Sequence, residues 1–168
     1  SDWCYEPGAQ GYAAGIRVKS NFADLQGYRL PTEAEWEFVC RGETQTSRYF
    51  GETDRLLGLY AWYEENSDRK LMQPVNALRP NFSGVFGMYG NAFEWCMDPP
   101  VLFVTDGRIS DDTGQGGEVS VDSSRVLRGG SFYDGATAMR SALRANYQPG
   151  YRDSVGGIRV SRTYSLQP

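Results

Sequence analysis

The stretch Gly27-Tyr28-Arg29-Leu30-Pro31-Thr32-Glu33-Ala34-Glu35-Trp36-Glu37-Phe38-Val39-Cys40-Arg41-Gly42 decides how this chain is read. Thr32 followed three residues later by Glu35 is a capping box, in which each side chain accepts from the other residue's backbone amide. Pro31 precedes the cap, Glu33 and Glu35 suit the positive end of a helix, and Gly42 supplies a stop. The pattern predicts a helix of about ten residues. Either Ala34, Phe38 and Cys40 or Trp36 and Val39 share the apolar side that packs on a core.

Outward from this helix the signals weaken. The upstream segment Glu6 to Gly15 (EPGAQGYAAG) reads as loop, and a weaker helical turn is expected from Thr53 to Leu57. From Tyr60 onward, short aromatic segments are punctuated by Gly, Pro, Asn and Ser, which predicts loops, brief strands and few helices. The strand candidates are Arg125 to Leu127, Gly130 to Tyr133 and Gly157 to Arg162. Thr105 to Val121, rich in Gly and acidic residues, reads as an exposed loop or insertion.

The 168 residues, 40% of them hydrophobic, are enough for one domain with a real core, so residues 1–168 are read as a single domain. A net charge of −4 has the wrong sign for a protein that lives on phosphate neutralisation, so nucleic acid is not an expected partner. No apolar run approaches the roughly 18 residues of a membrane span, and the N-terminus lacks the layout of a signal peptide. The chain opens at Ser1 without an initiator Met and is read as a piece of a longer protein, which leaves its localisation open between bacterial cytoplasm and cell surface. Histidine is absent, which excludes Ser-His-Asp and Cys-His catalysis, His-rich zinc sites and facial-triad iron. Cys4, Cys40 and Cys96 are far apart and odd in number, so they are expected as buried thiols, with a pairing of Cys4 left open.

Five blocks occur in order: Gly27 to Gly42, then GMYGNAFEWCMD (Gly87 to Asp98), RVLRGGSF (Arg125 to Phe132), RSALR (Arg140 to Arg144) and GGIRV (Gly156 to Val160). This series resembles the formylglycine-generating enzyme, or sulfatase-modifying factor, family. The resemblance implies an α+β, C-type-lectin-like fold of the formylglycine-generating subtype, with one or two helices and a small twisted antiparallel sheet. It also implies that an N-terminal portion of the family domain lies outside this sequence.

The family oxidises a substrate cysteine with two Cu(I)-binding cysteines that follow the RGGS block. Here those positions carry Asp134 and Met139, neither a thiolate, so no catalytic residue is assigned and copper is disfavoured. The resemblance also implies a calcium site, of which the carbonyl positions Gly90 and Ala92 and the carboxylate Glu94 remain, while Gly87 stands where a side-chain ligand belongs. A weakened calcium site and an ion pair of Glu94 with Arg128 or Arg159 are the two readings. A second family calcium site has Trp62 where Asn is expected. Cys40 matches a disulfide position whose partner is here Val160, so it is expected as a packed thiol. Trp3, Trp36, Trp62 and Trp95 are expected in the core, and Arg29, Arg128, Arg140, Arg144 and Arg159 as structural donors.

Tyr133, Asp134, Thr137, Met139, Leu143, Asn146, Tyr147, Gln148, Tyr151, Asp153 and Ser154 are interleaved with framework residues. Tyr, Ser, Gly and Asn on anchored loops have the composition of antibody paratopes. The pattern also resembles the variable region of diversity-generating-retroelement proteins, and the segments SDWCYEP and TSRYFGETDRLLGLYAWYEENS resemble family domains fused to bacterial signalling proteins such as kinases. Both lead to a non-catalytic module recognising a protein or peptide, in which Tyr133, Met139, Tyr147 and Tyr151 make contacts. The alternative is a copper-dependent oxidase acting on a cysteine of a sulfatase-type peptide.

Overall fold

The computed structural model describes residues 2–9, 11–12, 15–100 and 123–164. The expected loop at Thr105 to Val121 lies outside them. The predicted helix is α1, Glu33–Arg41. The Thr32 hydroxyl accepts the Glu35 amide at 3.1 Å and the Glu35 carboxylate accepts the Thr32 amide at 2.8 Å. At the other end Gly42 adopts a left-handed φ of 53° and donates its amide to the Phe38 carbonyl. Of the two apolar sides, Trp36 and Cys40 are buried and Val39 packs against the core, whereas Ala34 is exposed and Phe38 is 72% exposed.

The remaining elements are short. Strands β1 (Tyr5–Glu6) and β2 (Arg17–Val18) form an antiparallel pair at the two ends of the segment read as loop. Strand β3 (Ala61–Trp62) precedes a single helical turn, α2 (Glu64–Ser67), and pairs in parallel with β4 (Tyr89–Gly90). The turn expected from Thr53 to Leu57 is a 3-10 helix at Leu57–Leu59. The main sheet is formed by β5 (Phe93–Trp95), β6 (Arg125–Arg128), β7 (Ala145–Tyr147) and β8 (Gly156–Gly157), in the order β7-β6-β5-β8. Only β5 and β8 are parallel within it. Among the described residues no helix is long and apolar enough to cross a membrane.

Gly130 to Tyr133 is a turn, not the expected strand. Gly129 and Gly130 both have positive φ, 94° and 76°, and the Asp134 carboxylate accepts the Ser131 amide and hydroxyl at 2.9 and 2.6 Å. Of Gly157 to Arg162, only Gly157 lies in a strand, and Ser161 forms an isolated bridge with Arg29. Gly90 is needed where β4 pairs with β3, because a Cβ there would lie 2.0 Å from the Trp62 carbonyl oxygen.

Arginines tie α1 to the sheet. Arg128 has no exposed surface; it donates to Glu33 at 2.9 Å, to Glu37 at 2.5 Å and to the Ser141 carbonyl, with its guanidinium over the Trp36 ring. Arg144 also reaches Glu33, and Arg29 forks onto Glu35 with two bonds of 2.7 Å. Each of these charges is compensated as a buried charge must be. Arg140, by contrast, is exposed. Cys4, Cys40 and Cys96 are all buried free thiols.

Candidate functional site

Alternation along β5 and β6 gives the main sheet two different faces. Glu94, Val126 and Arg128 lie toward α1, where Glu94 accepts the Trp36 indole N–H at 2.7 Å and Arg128 meets Glu33 and Glu37. Phe93, Trp95 and Leu127 lie on the opposite face, beside Tyr147 of β7. There the chain after β7 turns back, the Tyr151 amide donating to the Gln148 carbonyl at 2.9 Å, and encloses a cleft of about 140 Å³. Phe93, Trp95, Leu127, Tyr147, Tyr151 and Asp153 are among its lining residues.

The rings of Tyr147 and Tyr151 stack with centroids 4.6 Å apart and planes within 8°. Asp153 accepts the Val155 amide at 3.0 Å, and its negative charge beside the Tyr151 phenol raises the pKa of that group. An apolar hollow of about 230 Å³, bounded by Tyr5, Val18, Met97 and Pro149, adjoins the cleft and shares Trp95 and Ile158 with it. Ile158 is 71% exposed.

Of the candidate contact residues, Tyr147, Tyr151 and Asp153 line this cleft. Gln148 and Ser154 are exposed beside it in sequence, Asn146 is exposed on the strand position between Ala145 and Tyr147, and Leu143 is half-buried. Tyr133, Asp134, Thr137 and Met139 belong to a separate turn. Tyr133 is exposed with the Arg69 guanidinium 5.3 Å from its ring centre, Thr137 is exposed in the 3-10 turn Ala136–Ala138, and Asp134 closes the Ser131 turn. Met139 is fully buried and so is not a contact residue: it fills the core beside Gly130, where a Cβ would come within 2.7 Å of its methyl group.

That geometry does not suit copper. Asp134 is a hard oxygen donor already engaged by Ser131, and the Met139 thioether is enclosed in the core. The free thiols offer no substitute. Burial pushes Cys40 up to about 11, its Sγ lying 3.7 Å from the Ser141 hydroxyl, and burial raises Cys96 as well. Calcium fits poorly at Gly90, Ala92 and Glu94. Both Glu94 oxygens accept from Arg159 at 2.7 Å, which is the ion-pair reading with Arg159 as the partner, so the carboxylate is already engaged by a cation. Among the described residues no cluster of three or more His, Cys, Asp or Glu is arranged to hold a metal.

Sequence reasoning missed the role of β5. Trp95 is half-buried on the cleft floor rather than in the core, and Trp3 is 67% exposed. The available signal was Phe93-Glu94-Trp95, whose alternation separates the Glu94 ion pair from an aromatic face.

The model of the sulfatase-modifying factor enzyme 1-like domain matches residues 7–164. The formylglycine-generating enzyme of Streptomyces coelicolor is 34% identical over 163 residues, covering 86% of this chain and 50% of that protein. The serine/threonine-protein kinase pkn1 of Chlamydia pneumoniae is 31% identical over 144 residues, covering 85% of this chain and 22% of the kinase. The chain thus spans half or less of these two relatives. Among solved structures, Treponema denticola variable protein 1 superposes with a TM-score of 0.75 at 28% identity, covering 94% of this chain and 61% of that one.

Proposed function

The chain belongs to the sulfatase-modifying factor enzyme 1-like family and has its α+β, C-type-lectin-like fold, and from that premise we propose that it is a non-catalytic module that recognises a protein or peptide. The observation that carries this reading is the cleft on the face of the main sheet away from α1, where the stacked Tyr147 and Tyr151 meet Phe93 and Trp95. Rigid tyrosines supply large amphipathic contact area at low entropy cost, and central aromatic anchors carry most of the affinity of such interfaces. The likeness to a variable protein supports a recognition role.

The test is selection from a random peptide display library on the immobilised protein, counter-screened with Tyr147→Ala/Tyr151→Ala. Peptides that bind the protein and not the double variant support the proposal. Selected peptides that bind both equally place recognition elsewhere.

A second reading, a copper-dependent formylglycine-generating oxidase, is favoured by the 34% identity to the Streptomyces enzyme. It requires copper ligands other than Asp134 and Met139. Incubation with Cu(I), oxygen and a cysteine-containing sulfatase-type peptide distinguishes the two: an unchanged peptide mass and no stoichiometric copper accord with recognition, and conversion to the aldehyde with the oxidase.

A further inference from the structure

The chemistry of the cleft is narrower than a general protein-binding surface. Its floor of Phe93, Trp95 and Leu127 is apolar, its wall is the Tyr147–Tyr151 stack, and Asp153 adds a carboxylate. At about 140 Å³ it is smaller than the roughly 300–1,000 Å³ of small-molecule pockets, so it fits one side chain of a larger partner. The faces of tryptophan and tyrosine attract cations, and a carboxylate at the same place adds to that field. Arg152 also lines the cleft, but its guanidinium is directed to the turn backbone, donating to the Pro149 and Tyr151 carbonyls at 3.0 and 3.2 Å. The net charge of −4 favours approach of a basic segment at longer range. The same pairing chemistry recurs on this molecule, where Arg162 lies 5.6 and 5.5 Å from the ring centres of Tyr28 and Tyr164.

We propose that the cleft accepts a cationic side chain of the partner, a lysine, arginine or methylated lysine, with its charged head against the aromatic rings and Asp153 and its aliphatic stem on Phe93 and Leu127. This rests on the recognition reading above. Trp95 and Asp153 are then specificity-determining residues, and a partner segment with no basic residue is excluded from the cleft.

The probes are a capped trimethyllysine and its neutral tert-butyl isostere, each titrated into isotope-labelled protein and followed at the Trp95 indole resonance. The cation shifts that resonance and binds at least about fivefold tighter than the isostere. Asp153→Asn, which keeps the acceptor for the Val155 amide, reduces the preference several-fold with an unchanged melting temperature. Equal binding of the two probes, or no shift with the cation, overturns the inference. The two readings fail separately: cleft-dependent display peptides that share no basic residue overturn the cation preference alone, whereas a cation-induced Trp95 shift without any cleft-dependent peptide leaves the preference and removes the peptide reading.

Discussion

Arg159 forks onto Glu94 with two bonds of 2.7 Å, joining the segment after β8 to the central strand β5. Trp36 of α1 donates a third bond to the same carboxylate, so one anion holds the helix, the sheet and the C-terminal segment together. Truncation at Arg159→Ala leaves Glu94, only 8% exposed, without its counter-ion. Because Arg159 itself is partly exposed, the expected loss is about 2 kcal/mol rather than the roughly 3–5 kcal/mol of a fully buried pair. Urea unfolding measures it.

The same fork predicts the response to calcium. With Arg159 on both Glu94 oxygens and Gly87 offering no side-chain ligand, millimolar calcium leaves the melting temperature unchanged, as does a chelator. A calcium-dependent rise shows that Arg159 yields its place.

Arg128 is more demanding than Arg159 because it is fully buried and serves Glu33, Glu37 and the Ser141 carbonyl at once. A lysine has one ammonium where the guanidinium spans separate acceptors. Arg128→Lys therefore costs at least about 2 kcal/mol, and Arg128→Ala about 3 kcal/mol, the low end of the range for breaking a buried pair because Glu33 keeps Arg144 and Glu37 keeps Arg41. Equal stability of Arg128→Lys and the parent by urea unfolding contradicts this role.

The Arg29–Glu35 pair sets a pH dependence. Burial raises the Glu35 pKa, but the hydrogen bonds from Arg29 and the Thr32 amide outweigh it and hold the group below its ordinary value of 4.5. A depressed carboxylate contributes stability that is complete above the unfolded value and is lost as pH falls through the folded value. Stability of the parent therefore falls in acid below about pH 4.5, and Glu35→Gln, less stable at neutral pH, shows a shallower acid decline. The difference between the two proteins isolates Glu35 from Asp98, whose pKa burial raises and whose contribution has the opposite sign.

Helix α1 was legible because its determinants are local: Thr32, Glu35 and Gly42 fix both ends within one short stretch. Which face it buries was not, since Phe38 and Trp36 are equally apolar in sequence and only the position of Glu94 and Arg128 across the sheet selects Trp36. Thr32→Ala accordingly costs about 1 kcal/mol through loss of the cap. Phe38→Ser, on the exposed side, stays within about 0.5 kcal/mol. The turn at Gly130 to Tyr133 was misread because alternation was weighed above the Gly129-Gly130 pair, whose positive φ values end β6. The candidate contact segment was legible in composition but not in placement. Tyr147 and Tyr151 meet through a turn of the chain, whereas Met139 is drawn into the core by packing that leaves no trace in its neighbours.

The central claim is that recognition takes place at the Tyr147–Tyr151 cleft. Its most direct test is the affinity of a display-selected peptide for the parent protein, for Tyr147→Ala/Tyr151→Ala and for Tyr133→Ala, each shown to be folded by its thermal transition. We expect the double variant to bind at least about tenfold more weakly and Tyr133→Ala to bind as the parent does. Unchanged affinity in the double variant, or a loss confined to Tyr133→Ala, contradicts the claim and moves the binding surface to the turn that carries Tyr133.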